Sequence, residues 1–244
     1  ALAHWWGAAD VPPKVRLLRA TLKQSLHDFT GARADLDALV AADPNDAQAW
    51  LVRATVAQVV GDYAAAEQSC AALEGKVRPL ISTVCRAPLL GFQGKAAEGA
   101  ASIEAALTPD ERKLRAWALS VAGELRWFAG DTAAAEKLLG EALQLDPKDD
   151  YTRGVWADLL LDAGRKAEAV KLVSAHQSND ALLLRLCLAD QPPACEALTE
   201  RVAATRQRGD TVHRREEARF ALQVEKDLAK AVALAVANFG VQKE

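Results

Sequence analysis

Apolar residues recur along most of the chain at spacings of three and four, in long segments that short polar stretches separate. Residues 49–60 and 64–73 show this pattern on either side of a Gly-Asp step. Such spacing places apolar side chains on one face of an α-helix, whereas a half-buried strand would need strict alternation. The abundance of alanine, the best helix former, agrees with this interpretation. The chain is therefore predicted to be all-α and built from pairs of helices.

The turns inside the predicted pairs recur with a fixed period. They begin at His27, Gly61, Gly94, Gly130 and Gly164, at steps of 34, 33, 36 and 34 residues. Five positions after each of these residues stands a small one, namely Ala32, Ala66, Gly99, Ala135 and Ala169. Four positions further on come Leu36, Cys70, Ile103, Leu139 and Val173. A period near 34 with small residues at fixed offsets is typical of a helical-repeat solenoid. We expect the small residues to allow close helix packing and the larger ones to fill the space towards the next unit.

The pattern resembles the tetratricopeptide repeat (TPR) from about residue 13 to residue 176. The second copy carries Trp50, Ala54 and Ala66 at the positions of that motif. The fourth copy carries Gly123, Ala135, Leu139, Ala142 and Pro147. The resemblance implies a right-handed superhelical solenoid of antiparallel helix pairs, with a concave groove that binds other proteins.

Three parts are expected along the chain. Residues 1–12 are interpreted as the end of a truncated upstream repeat with a linker, residues 13–180 as five TPR-like repeats, and residues 181–244 as divergent TPR-like helical units.

Length and charge limit the classes of partner. With 244 residues, half of them apolar, the chain is long enough to bury a large apolar surface between its helices. The net charge is −3 and no basic stripe stands out, which argues against a nucleic-acid partner. No apolar run reaches the roughly 20 residues that span a bilayer, so direct membrane insertion is not expected.

The resemblance implies that the first helix of each pair lines the groove. The groove residues expected on this basis are Gln48, Leu51, Thr55, Gln58, Phe92, Trp117, Glu124, Trp127, Phe128, Tyr151 and Asp158. Exposed aromatic residues in a concave surface favour binding. The alternative is that Trp127 and Phe128 fill the junction between repeats. The Lys and Asn residues with which some TPR proteins bind a chaperone's terminal carboxylate are missing, since Leu51 and Thr55 occupy those positions in the second copy.

The four cysteines form two local pairs. Cys70 lies on the second helix of one unit and Cys85 on the first helix of the next, so these two are candidates for a disulfide. Cys187 and Cys195 flank the break at residues 190–193. Disulfides would indicate an oxidising compartment such as the periplasm. Four buried thiols are the alternative. No Cys-x-x-Cys spacing occurs, and no metal site is expected.

No catalytic constellation is evident, because His4, His27, His176 and His213 lie in different units without a catalytic partner. We therefore expect a non-enzymatic scaffold without a cofactor, whose partner is another protein or a peptide. The alternatives are a structural module that acts through homo-oligomerisation and an accessory domain of a larger exported system. A periplasmic or exported location is favoured, with a cytoplasmic one as the alternative.

Overall fold

The computed structural model describes residues 3–8, 10–109, 111–210 and 212–243. The α-helices in this part are α1 (Pro13–Ser25), α2 (Phe29–Ala42), α3 (Ala47–Val59), α4 (Tyr63–Ala71), α5 (Pro79–Phe92), α6 (Ala96–Ala106), α7 (Arg112–Phe128), α8 (Thr132–Leu145), α9 (Asp150–Asp162), α10 (Lys166–Val173), α11 (Asp180–Leu188), α12 (Pro192–Gln207), α13 (Arg214–Phe220) and α14 (Leu228–Phe239). A 3₁₀-helix, Ala3–Trp5, precedes α1, and a π-helical turn, Ala221–Glu225, continues α13. The described residues include no β-strand, and the prediction of an all-α chain is confirmed.

Consecutive helices pack as antiparallel pairs, α1 with α2 through to α13 with α14. The turn inside each pair contains one residue in the left-handed backbone region. In the first five pairs this residue is His27, Gly61, Gly94, Gly130 or Gly164, at the predicted positions. In the sixth and seventh pairs it is Asp190 and Lys226, with φ of 59° and 58°. Glycine adopts this conformation without steric penalty, which suits it to four of these seven turns, and non-glycine residues adopt it in the other three. We call these seven residues the corners.

Aspartate or asparagine begins many of the helices. Side-chain oxygens of Asp28, Asp46, Asp62, Asp131, Asp149, Asn179 and Asp227 accept hydrogen bonds from backbone N–H groups in the first turn of the helix that follows. These N–H groups have no partner inside the helix, so each cap stabilises its helix by about 1 kcal/mol.

Neighbouring pairs contact each other in a constant register. The residue nine positions after one corner packs in the same apolar cluster as the residue nine positions before the next corner. The four couples are Leu36 with Val52, Cys70 with Cys85, Ile103 with Val121, and Leu139 with Val155. The expectation that the first member of each couple fills the space towards the next unit is confirmed.

Ion pairs flank the same junctions. An acidic residue on the second helix of a pair faces an arginine on the first helix of the next pair. The couples are Asp37 with Arg53 at 2.7 Å, Glu67 with Arg86 at 2.8 Å, and Glu104 with Arg126 at 2.7 Å. The first three junctions therefore combine an apolar centre with a charged edge.

The segment before α1 contains a short 3₁₀-helix, Ala3–Trp5. The buried Arg19 fixes this segment, because its guanidinium donates hydrogen bonds to the backbone oxygens of Trp5 at 2.5 Å and Ala8 at 2.8 Å. The assignment of residues 1–12 to an upstream repeat, and the division of the chain at residue 180, stay predictions.

Candidate binding groove

A cavity of about 650 Å³ lies on the concave side of the solenoid, and we call it the groove cavity. The first helices of the second to fourth pairs and the start of α9 form most of its wall. Eight of the expected groove residues line it: Leu51, Thr55, Gln58, Phe92, Trp117, Glu124, Phe128 and Tyr151. They belong to different repeats, and the superhelix brings them to one surface because each lies on the inner side of a first helix.

Four aromatic side chains of the groove cavity reach solvent. Phe128 is 64% exposed, Tyr151 61%, Phe92 47% and Trp117 36%. Phe92 also stacks on Tyr63, with ring centroids 4.9 Å apart. Because helix packing does not cover these rings, they give the cavity an apolar surface that a ligand can bury.

Trp127 does not line the groove cavity. It packs with Trp156 against the apolar cluster between the fourth and fifth pairs. The Trp127 ring nevertheless stacks on the Phe128 ring, with centroids 5.8 Å apart. Trp127 therefore packs at the junction between repeats, whereas Phe128 lines the groove cavity.

The polar residues of the groove cavity are held by nearby atoms. The Tyr151 hydroxyl donates to Glu124 Oε2 at 2.8 Å, and Gln58 Nε2 donates to the Cys85 backbone oxygen at 3.0 Å. Thr55 Oγ1 donates to the backbone oxygen of Leu51. These side chains are oriented before any ligand arrives. Gln48, at the start of α3, is exposed and lies outside the lining of the cavity.

Asp158 on α9 also lies outside the lining of the cavity, where it binds two arginines. Arg185 Nη2 lies 2.5 Å from Asp158 Oδ2, and Arg219 Nη2 lies 2.9 Å from Asp158 Oδ1. Burial would raise the pKa of Asp158, but the hydrogen bonds and charges of Arg219 and Arg185 hold it below its usual value. This carboxylate therefore anchors the seventh pair to the fifth.

The seventh pair, α13 with α14, reaches back to the first two pairs. The backbone N–H of Lys243 donates to the Val59 oxygen at 2.7 Å, and Gln242 Nε2 lies 3.4 Å from His27 Nε2. The Arg215 side chain belongs to the wall of the groove cavity. Together with the Arg219–Asp158 contact, these interactions close the concave side, so the cavity has a wall that repeat spacing did not predict.

His27 lies at this closure. Burial lowers its pKa, and the charges of His213 and Arg214 lower it further, against the opposite effect of Glu216 and Asp210. The imidazole is therefore neutral at pH 7.

Two disulfides connect helices. Cys70 and Cys85 join α4 to α5 with Cα atoms 5.6 Å apart, and Cys187 and Cys195 join the end of α11 to α12 with Cα atoms 4.6 Å apart. The first bridge crosses between two pairs, whereas the second spans the corner at Asp190. All four cysteines of the chain are therefore bonded.

A second cavity, of about 400 Å³, lies between α11, α12 and α13. Two of its carboxylates are already paired, since Asp180 contacts Arg201 at 2.6 Å and Glu217 contacts Arg206 at 2.5 Å. The described residues contain no cluster of three or more His, Cys, Asp or Glu side chains arranged to hold a metal ion. Among the helices described above, none is long and apolar enough to cross a membrane.

Comparison with known proteins places this architecture in a family. Sequence profiles described as tetratricopeptide repeat match residues 17–78 and residues 129–187. The chain is a tetratricopeptide-repeat protein. No curated protein sequence matches it.

Solved structures share the TPR fold. A thermophilic TPR protein of Thermus thermophilus is 19% identical with a TM-score of 0.59, and the match covers 79% of this chain and 98% of that one. PilW, a type IV pilus biogenesis factor, is 22% identical with a TM-score of 0.58, and the match covers 82% and 94%. PilF of Pseudomonas aeruginosa is 16% identical with a TM-score of 0.55, and the match covers 80% and 90%. At these identities the likeness concerns the fold alone.

Proposed function

We propose that this TPR protein is a non-enzymatic scaffold that binds a segment of another protein in the groove cavity. The observation that carries the proposal is the set of four exposed aromatic rings, Phe92, Trp117, Phe128 and Tyr151, on one concave surface. Exposed aromatic rings in a concave pocket are typical anchors for protein partners.

The cavity fits a short peptide segment rather than a folded domain. Its volume of about 650 Å³ has room for a few side chains of an extended or helical peptide. The charged groups around it are few, namely Glu124, Asp149 and Arg215. We therefore expect recognition mainly through apolar contact, with the oriented polar groups setting the register of the peptide.

The proposal can be tested with a defined probe. Peptides are selected from a random display library on the whole protein, and the best binder is synthesised for calorimetry. Phe128→Ala is expected to raise its Kd about 30-fold, equivalent to about 2 kcal/mol, because a central aromatic anchor is lost. The melting temperature should not change, since the ring is 64% exposed.

Phe239→Ala is the matched control, because that ring is 59% exposed but lies on α14 outside the groove cavity. It should leave the Kd unchanged. Equal affinities for wild type and Phe128→Ala, or a selection that enriches no peptide, would contradict the proposal.

We also propose that the protein works in an oxidising compartment, as exported proteins do. Support comes from the two bridges, which leave no free cysteine. Protein isolated from its native compartment without reductant, and alkylated at once, should show no free thiols before reduction and four after it. Recovery of protein with free Cys70 and Cys85 would instead favour a cytoplasmic location.

A further inference from the structure

A cavity of about 600 Å³ lies between α13 and α14, and we call it the α14 cavity. Helix α14 gives its wall an apolar stripe, in which Leu228 is 64% exposed, Val232 53%, Val236 67% and Phe239 59%. The described residues leave these side chains in solvent. An exposed apolar patch of this kind is typical of a surface that binds another molecule.

A buried polar side chain belongs to the same wall. Asn238 lines the α14 cavity although it is only 7% exposed, and its side-chain amide forms no hydrogen bond with any of the described residues. Buried amides are nearly always hydrogen-bonded, because one without a partner costs free energy. The Asn amide has N–H donors and an oxygen acceptor, which match the C=O and N–H groups of a peptide backbone.

The charge of the cavity comes from arginine. The described wall contains Arg215 and Arg219 but no Asp or Glu. Arg219 is held by Asp158, whereas the exposed Arg215 forms no ion pair with any described carboxylate. A guanidinium without a counter-ion binds carboxylates through its fixed N–H donors. The α14 cavity therefore complements a ligand that carries a carboxylate beside apolar groups.

We propose that the α14 cavity is a second peptide-binding site, which takes an apolar protein segment containing an Asp or Glu residue. The apolar side chains of the segment cover the α14 stripe, its acidic side chain pairs with Arg215, and one of its backbone amide groups pairs with Asn238. A fatty acid also offers an apolar chain and a carboxylate, but its tail has no donor or acceptor for Asn238. The α14 cavity and the groove cavity share Arg215 and no other described residue, so they are neighbouring but separate sites.

Peptide display on the whole protein tests the proposal. A random library is selected on the wild type, and each clone is then assayed on Val236→Asp and on Phe128→Ala. Both positions are exposed, so neither substitution should disturb the fold. We expect one class of clones that fails to bind Val236→Asp, still binds Phe128→Ala, and carries Asp or Glu among apolar residues. Clones that bind the groove cavity show the reverse dependence, so the failure of one site is distinguishable from the failure of the other.

Calorimetry with the best Val236-dependent peptide tests the charge. Arg215→Gln should raise its Kd about tenfold, because a charge-assisted hydrogen bond is lost. Replacing the acidic residue of the peptide by its amide should raise the Kd for the wild type by a similar factor and leave the Kd for Arg215→Gln unchanged, since the two groups act as a pair. Arg208→Gln is the matched control, because Arg208 is exposed and lies outside the α14 cavity. It should leave the Kd unchanged.

Asn238→Leu tests the buried amide through two measurements that should move independently. The amide has no partner in the free chain, so a leucine of similar size should keep or raise the melting temperature. The Kd of the peptide should nevertheless rise about tenfold, because the backbone group that Asn238 bound is left without its partner. A purely structural Asn238 would give the opposite pattern, with a lower melting temperature and an unchanged Kd.

Three results would overturn the proposal. The first is a selection that yields no Val236-dependent peptide, and binding of dodecanoate to the wild type but not to Val236→Asp would then assign the cavity to a fatty acid. The second is self-association in sedimentation velocity that Val236→Asp abolishes, which would show that a second copy covers the stripe. The third is a Val236-dependent peptide whose Kd is the same for the wild type, Arg215→Gln and Asn238→Leu.

Discussion

Asp35 and Arg19 form an ion pair buried between α1 and α2. Arg19 Nε donates to Asp35 Oδ2 at 2.8 Å, and Lys23 Nζ approaches the same oxygen at 3.0 Å. Burial would raise the pKa of Asp35, but the hydrogen bonds from Arg19 and Lys23 lower it below the usual value. The carboxylate therefore stays charged at pH 7, and it compensates the positive charge of Arg19, a residue that is only 5% exposed.

We expect Asp35→Asn to lower the free energy of unfolding by about 3 kcal/mol, because it leaves a buried arginine without its counter-ion. Asp37→Asn is the matched control two residues along the same helix. The side chain of Asp37 is 47% exposed, and loss of its pair with Arg53 should cost less than about 1 kcal/mol. Urea unfolding followed by circular dichroism measures both values. Equal losses in the two variants would show that the buried pair contributes no more than a surface pair.

At the scale of helices, small residues decide how closely two of them approach. A Cβ atom added to Gly99 in α6 would lie 2.7 Å from the backbone oxygen of Ala87 in α5. A Cβ atom added to Gly140 in α8 would meet nothing closer than the Trp156 ring at 3.4 Å. Both glycines lie inside α-helices, so alanine should raise helix propensity equally at the two positions. A difference in stability between the two variants then reports the steric effect of the added Cβ atom.

Gly99→Ala should therefore destabilise the protein by about 1–3 kcal/mol, since the helices must move apart. Gly140→Ala should stabilise it by about 0.5–1 kcal/mol, because alanine restricts the unfolded chain and favours helix. Thermal and urea unfolding of the two variants provide the comparison. A gain of stability in Gly99→Ala would contradict the close approach of α5 and α6, and a loss in Gly140→Ala would contradict the room beside Gly140.

The same small residues explain which helix pairs could be predicted from the sequence. Four of the five corners that spacing located are glycine, and all five have a small residue five positions later. The sixth and seventh corners use Asp190 and Lys226 instead of glycine, so the periodic phrase disappears although helices still pair there. The groove-lining and junction members of the Trp127–Phe128 dipeptide could not be separated either, because the two residues are adjacent on α7 and their rings stack on each other.

The overall closure of the molecule depends on contacts between distant parts of the chain. Arg219 meets Asp158 across 61 residues, and Lys243 meets Val59 across a still longer stretch. Local periodicity carries no information about such contacts, so the sequence predicted the residues on the inner helices but not the wall that α13 adds. The groove cavity is thus a property of the whole solenoid.

Arg219→Ala should loosen this closure. Asp158 stays paired with Arg185 in the variant, so the substitution removes mainly the contact between α13 and α9. We expect hydrogen exchange at the α14 amides to rise about tenfold or more, because a charge-assisted hydrogen bond of about 1.5–3 kcal/mol is lost. Arg201→Ala removes an exposed pair with Asp180 and is the control that should leave this exchange unchanged.

The closure should also respond to acid. Because the folded pKa of Asp158 lies below its ordinary value near 4, the carboxylate stabilises the folded form above that value, and this stabilisation is lost as the pH falls through the folded pKa. In the wild type, the protection factors of α14, corrected for intrinsic exchange, should therefore fall below about pH 4. In Arg219→Ala, α14 should already be poorly protected at neutral pH, with a smaller change on acidification. Equal protection of α14 in wild type and variant at pH 7 would show that the Arg219–Asp158 contact does not hold the seventh pair in place, and that the backbone contact at Val59 is sufficient.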